Sequence, residues 1–227
     1  MPWLKINLIR KDSKSIALLA LFSAMVIMLE AYPILGVTDI RTVGSFTLDP
    51  TGIPLVIVLL GLGGFYSIIT IFIMWVSIAY RGKVASATFK GVAELLTILG
   101  IVFARKITHG DKLSKRKEIF IWVVLASLFR SVGMFFSILV LSPYFWAATF
   151  EMALADAILY FPWNIVQACI NVIGGVLLYS AIPIELKLQA GFGENPNLGK
   201  PVVEELSQDE IPEAKEVDKT EPLEESG

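Results

Sequence analysis

The sequence predicts an all-α, polytopic membrane protein: a six-transmembrane-helix bundle followed by a disordered acidic C-terminal tail. Three observations predict it. Hydrophobic residues make up 55% of the 227 positions, above the usual share in soluble domains. Apolar stretches recur near the length of about 20 residues that a helix needs to cross a bilayer core. The loops between them alternate between many and few Lys and Arg, the pattern that marks cytoplasmic and outer sides.

The net charge of −2 hides a division along the chain. Residues 1–203 hold 17 Lys and Arg against 11 Asp and Glu, whereas residues 204–227 hold 2 against 10. That last segment has no aromatic residue and cannot bury a core, so it reads as solvated. The expected organisation is a basic cytoplasmic N-terminus over 1–14, a membrane domain over 15–184 and an acidic cytoplasmic tail over 185–227.

The first predicted span is Ile16–Leu35. Its opening apolar run is followed by Glu30, Tyr32 and Pro33 rather than a small-x-small cleavage pattern, so it reads as a retained helix and not a signal peptide. Next comes a polar loop, Gly36–Thr51, containing Asp39, Arg41, Asp49 and Pro50. It is too polar for the membrane and long for a turn, the character of a binding lid. The stretch Gly52–Tyr80 has 29 residues and no charge. Its Gly61-Leu62-Gly63-Gly64 centre permits a tight reversal.

Charge parity decides how often that stretch crosses. Lys5, Arg10, Lys11 and Lys14 precede the first span, and Arg105, Lys106, Lys112, Lys115, Arg116 and Lys117 follow the predicted Val84–Ala104 span. Both clusters belong in the cytoplasm, so an even number of crossings separates them. Gly52–Tyr80 must then cross twice. Ile119–Leu141 and Phe161–Ile182 complete the six, with both termini cytoplasmic. Ser142–Tyr160 is read as an outer loop whose aromatic residues suit an interfacial belt.

Ionisable side chains inside a membrane need a reason to be there. Glu30, Lys90, Glu94 and Arg130 are the four in the predicted spans. Lys90 and Glu94 are four apart on one helix, so they share a face and can pair with each other, but polar groups in spans usually face a cavity. Glu30 lies near the outer end and is expected to reach the headgroups, whereas Arg130 lies mid-span and is a candidate for a cavity or an ion pair. Asn164, Gln167 and Asn171 follow helical spacing and share one stripe. Such a stripe either glues helices together or recognises a polar heterocycle. Ala17, Ala20 and Ala24 form a small-residue face that admits another helix, inside the bundle or from another subunit.

Other chemistry is missing from the pattern. One cysteine, Cys169, and one histidine, His109, support neither a disulfide framework nor a Cys/His metal site. Gly199-Lys200 is followed by proline and is no phosphate loop. Asp49-Pro50-Thr51-Gly52 is similar to the Asp-x-Thr-Gly of phosphorylated pumps and aspartic proteases, a four-residue match of the kind chance supplies. No catalytic residue is assigned. No inverted repeat marks a self-sufficient secondary transporter.

Three local patterns carry a family resemblance. Ala17-Leu-Leu-Ala20-Leu-Phe-Ser-Ala24 opens the first helix. Phe46-Thr-Leu-Asp49-Pro-Thr-Gly52-Ile-Pro54 precedes the Gly61–Gly64 break. Ala93-Glu94-Leu95-Leu96-Thr97 and Phe161-Pro162-Trp163-Asn164-Ile165-Val166-Gln167 lie in later spans. Over residues 14–184 the layout resembles the substrate-binding S component of energy-coupling factor (ECF) vitamin transporters, most nearly the riboflavin-type group. Asp49, Glu94 and Asn164 match the family's runs. Gly52 stands where a second acidic residue is usual, Thr97 where asparagine is and Gln167 where lysine is, so the ligand's identity is open.

The resemblance implies a multi-pass subunit of a prokaryotic cytoplasmic membrane. It would bind a vitamin, riboflavin favoured, from the extracytoplasmic side for ATP-driven uptake by partner subunits. With the cavity candidates included, the expected ligand-binding residues are Asp49, Lys90, Glu94, Thr97, Arg130, Asn164 and Gln167. Ala17, Ala20 and Ala24 would meet the transmembrane T subunit of an ECF module that also holds ATPase subunits. The vitamin is a transported ligand; no cofactor, metal or nucleic-acid partner is expected. The alternative is a membrane-embedded assembly protein without a small ligand. An intramembrane enzyme lacks a visible nucleophile–base pair.

Overall fold

The structure is a computed structural model that describes residues 13–31, 40–42, 46–108, 114–190 and 192. Within them the chain forms α1 (Ser13–Ala31), β1 (Ile40–Arg41), β2 (Thr47–Leu48), α2 (Gly52–Gly61), α3 (Gly64–Tyr80), α4 (Val84–Thr108), α5 (Lys115–Trp146), α6 (Phe150–Ala181) and α7 (Ile184–Ala190). The two short strands pair antiparallel, Ile40 with Leu48 and Arg41 with Thr47. The architecture is all-α apart from this hairpin, as the hydropathy pattern predicts.

Four helices, α1, α4, α5 and α6, are long and apolar enough to cross a membrane. The other two apolar helices differ from the expectation of six full spans. With 10 residues, α2 is only about 15 Å long, half a bilayer core, and the 17 residues of α3 reach about 25 Å. The break falls within the predicted glycine cluster. Gly63 has φ 101°, a conformation that only glycine adopts cheaply. The Leu62 and Gly63 N–H groups both donate to the Val58 carbonyl, closing α2 before α3 begins.

The outer loop expected over Ser142–Tyr160 is instead mostly helix. α5 runs to Trp146 and α6 starts at Phe150, leaving Ala147–Thr149 as the connection. Ala147 adopts the left-handed conformation at φ 49°, and the Thr149 hydroxyl accepts from the Met152 N–H. These caps stop one helix and start the next. Glu151 and Asp156 break the apolar run, but Phe150–Tyr160 is still rich in Ala, Leu and Met, which favour helix regardless of hydropathy. The segment expected as tail from 185 begins with α7, and Phe192 is buried against the rings of Phe22 and Tyr179. Residues 193–227, which hold the acidic run, lie outside the described residues, as do His109, the N-terminal residues 1–12 and part of the predicted lid.

Helix α2 forms the centre of the bundle. Every residue in it except Ile53 is buried, and it packs against α1, α3, α4 and α6. A helix apolar on all sides is one surrounded by protein, which explains why Gly52–Gly61 carries no charge. Contacts fix which helix ends lie together. Glu30 near the end of α1, Arg81 after α3 and Lys90 near the start of α4 meet at one end. Gly61, at the end of α2, lies under the Phe192 ring at the other.

Candidate functional site

The charged and amide side chains singled out in the sequence converge on one hydrogen-bonded network. On α4, Lys90, Glu94 and Thr97 are spaced to share a face, and on α6 the same holds for Asn164, Gln167 and Asn171. Arg130 reaches in from α5. The backbone between β2 and α2 brings Asp49.

Glu94 and Arg130 form the inner part. Arg130 Nη1 lies 2.8 Å from Glu94 Oε1 and 3.0 Å from Thr97 Oγ1, and its Nε donates to Asn164 Oδ1. The Asn171 amide donates to both Glu94 oxygens at 3.2 Å. Gln167 donates to Asn171 Oδ1 at 2.9 Å. Glu94 is 1%, Asn171 0% and Arg130 5% exposed, so this is a fully desolvated ion pair with amide support.

Gln167 also joins the inner part to the loop. Its Oε1 accepts from the Asp49 N–H at 3.1 Å, and its amide donates to the Asp49 carbonyl. Asp49 accepts from the Thr51 hydroxyl and backbone N–H through its carboxylate and pairs with Lys90 at 3.1 Å. Lys90 also contacts Glu30, which takes a further bond from Arg81 at 3.1 Å. One connected path therefore runs from Arg81 to Asn164 with three cations and three carboxylates, and its formal charge is zero.

The simplest contacts open to these side chains are not the ones they make. Lys90 and Glu94 do not pair with each other: Lys90 turns to Glu30 and Asp49, and Glu94 turns to Arg130 and Asn171. An intrahelical pair would leave Asp49 and Arg130 without counter-charges, which is costly away from water. Glu30 does not reach free toward headgroups but links three helices.

Gly52 explains itself in this setting. A Cβ there would land on the Asn171 amide and press on a Glu94 oxygen. An acidic side chain, usual at this position in the family that the sequence resembles, has no room and would oppose Glu94. The start of α2 thus sits directly against the buried carboxylate, where the helix N-terminus favours negative charge.

Aromatic rings lie nearby. Phe46 from the loop is 5.7 Å from Tyr160, whose carbonyl accepts from Asn164. Phe89 stacks on Trp146 at 5.1 Å. A separate groove of about 380 Å³ between α5 and α6, lined by Val132, Phe135, Phe136, Ile158, Phe161 and Pro162, contains none of the polar network. Val132, Phe136 and Ile158 are outward-facing there, so it belongs to the apolar exterior.

All seven predicted ligand-binding residues join this one network. Sequence reading did not place Glu30, Arg81 and Asn171 in it. Asn171 carried a signal, its place in the amide stripe, and Glu30 carried one as an ionisable residue in a predicted span; Arg81 did not, because its partner comes from a distant helix. Ala17, Ala20 and Ala24 are all exposed along α1, away from the network. Among the described residues they are therefore not an internal packing face.

No protein-family model matches the sequence, and no curated protein does either.

Proposed function

We propose that this chain is the substrate-binding S subunit of an ECF-type importer, which captures a vitamin for uptake by ATP-driven partners. The observation that carries this reading is the Asp49–Gln167 junction. It holds non-helical backbone against the deepest polar residues of the bundle, immediately before a half-length helix. Irregular backbone at membrane depth is tolerated where it is surrounded by protein or lines a cavity, and half-helix termini mark substrate sites in transporters.

In this reading the loop and α2 together make one crossing. With α1, α3, α4, α5 and α6 the crossings come to six, and both termini are cytoplasmic, in line with the Lys and Arg distribution. The ligand enters from outside, at the end where Glu30, Arg81 and Lys90 meet. Its polar edge exchanges hydrogen bonds with Asp49, Gln167 and Asn164, and the Phe46, Tyr160, Phe89 and Trp146 rings supply flat apolar cover. Riboflavin is favoured by the resemblance. The exposed Ala17, Ala20 and Ala24 face suits close approach of a T subunit.

The test is an absorbance spectrum and mass analysis of detergent-purified protein. Flavin absorbance, or another vitamin released on denaturation, is the expected result. Ligand-free protein that no vitamin stabilises thermally would sink the proposal.

The second reading is a membrane-embedded assembly protein. It is favoured by the closure of the network, whose members satisfy one another without a ligand. A tight ligand raises thermal stability by mass action, and a pure assembly protein shows no such rise.

A further inference from the structure

A second polar cluster lies at the opposite end of the bundle from Glu30 and Lys90, and the vitamin site does not use it. Among the described residues, three buried side-chain atoms there have no hydrogen-bond partner: Arg105 Nη1 on α4, Trp122 Nε1 on α5 and Tyr179 Oη on α6. They are neighbours. The Arg105 guanidinium lies over the Trp122 ring, 5.2 Å from its centroid, and Arg105 and Tyr179 lie near enough to perturb each other's ionisation. A fourth element, α7, places Lys187 Nζ 4.6 Å from the Tyr179 ring centroid, with Lys187 itself 3% exposed.

Each of these groups is able to donate a hydrogen bond, and two are cationic. Buried donors without partners are costly and uncommon; three in one place call for a shared acceptor. Glu118, one turn before Trp122, attracts Arg105 yet leaves Nη1 unmatched. Lys115 adds positive charge near Lys187. Burial and then Lys115 push the Lys187 pKa down, a penalty that a bound anion would offset.

We infer that Arg105, Trp122, Tyr179 and Lys187 form a binding site for a phosphate group, built by four helices at the cationic end of the bundle. A phosphate has enough acceptor oxygens for all four donors and suits the guanidinium fork. The group belongs either to an anionic lipid headgroup, recognised by basic pockets between membrane helices, or to a soluble phosphate compound. This inference does not depend on the vitamin reading.

The test uses the full chain in detergent. Thermal stability is measured with sodium phosphate against sodium chloride at equal ionic strength. Native mass spectrometry compares retention of phosphatidylglycerol and phosphatidylcholine. The variants are Arg105→Gln, Trp122→Phe and Tyr179→Phe. The two phenylalanine variants keep the rings and remove only atoms without protein partners, so they should fold. Each variant is expected to weaken phosphate or phosphatidylglycerol binding about tenfold, as loss of one hydrogen bond to a charged group does. Selective retention of phosphatidylglycerol that inorganic phosphate does not displace assigns the site to lipid. Stabilisation by inorganic phosphate without lipid selectivity assigns it to a soluble compound. If neither probe binds, or if binding is the same in all three variants as in the parent chain, the inference fails.

Discussion

Arg130 on α5 and Glu94 on α4 form an ion pair at 2.8 Å whose side chains are 6% and 2% exposed. The pair crosses between helices, and Thr97, Asn164 and Asn171 complete its hydrogen bonds. A pair this deep holds the bundle in one arrangement only while both members are present.

Removing one member should therefore be severe. Arg130→Met leaves Glu94 as an uncompensated buried charge and is expected to cost about 3–5 kcal/mol. Adding Glu94→Gln should recover much of that loss. Unfolding of both proteins in detergent measures the difference; equal stability of the single and double variants would show that the pair does not act as a unit.

Gly52→Ala is a small change with a large expected effect. The added Cβ meets the Asn171 amide and the Glu94 carboxylate, and overpacking of a buried site typically costs about 1–3 kcal/mol. Asn171→Ala should restore space and make the double variant more stable than Gly52→Ala alone. A melting temperature for Gly52→Ala equal to that of the parent chain would contradict the close approach.

Gln167 holds the loop by both of its amide atoms. Gln167→Leu keeps most of the volume but leaves the Asp49 N–H without its acceptor. Hydrogen exchange at Asp49 should speed up by about tenfold, the equivalent of one net hydrogen bond of about 1.4 kcal/mol. Ligand affinity, measured by titration, should fall with it. Unchanged exchange would mean that other contacts hold the loop.

The alanine face of α1 makes a prediction of the opposite kind. Ala20→Trp with Ala24→Trp alters an exposed surface, so ligand binding and the melting temperature should stay within error. Uptake and co-purification with partner subunits should be lost. Loss of ligand binding as well, or of neither activity, would remove the docking role.

The sequence by itself determined the largely helical class and much of the polar network's membership. Apolar runs identify membrane helices because lipid leaves the backbone few other options. Lys90, Glu94, Arg130 and the Asn164–Gln167–Asn171 stripe stand out because polar groups within such runs are costly. Gly63 marked the α2–α3 break because its backbone conformation is one that other residues avoid. Ala147–Thr149 left no such mark in hydropathy, so the helical extension of α5 and α6 was hidden.

Tertiary structure decided the pairing and the depth. Helical spacing placed Lys90 beside Glu94, yet Lys90 finds its opposite charges on α1 and in the loop, and Glu94 finds its own on α5. Nothing local could show that, because the partners of Lys90 lie 60 residues away on α1 and in the loop. Likewise, Gly52–Tyr80 has the composition of membrane helix throughout. Only packing around α2 made it a short central helix that starts against Glu94, since burial by neighbouring helices and burial by lipid select the same apolar residues.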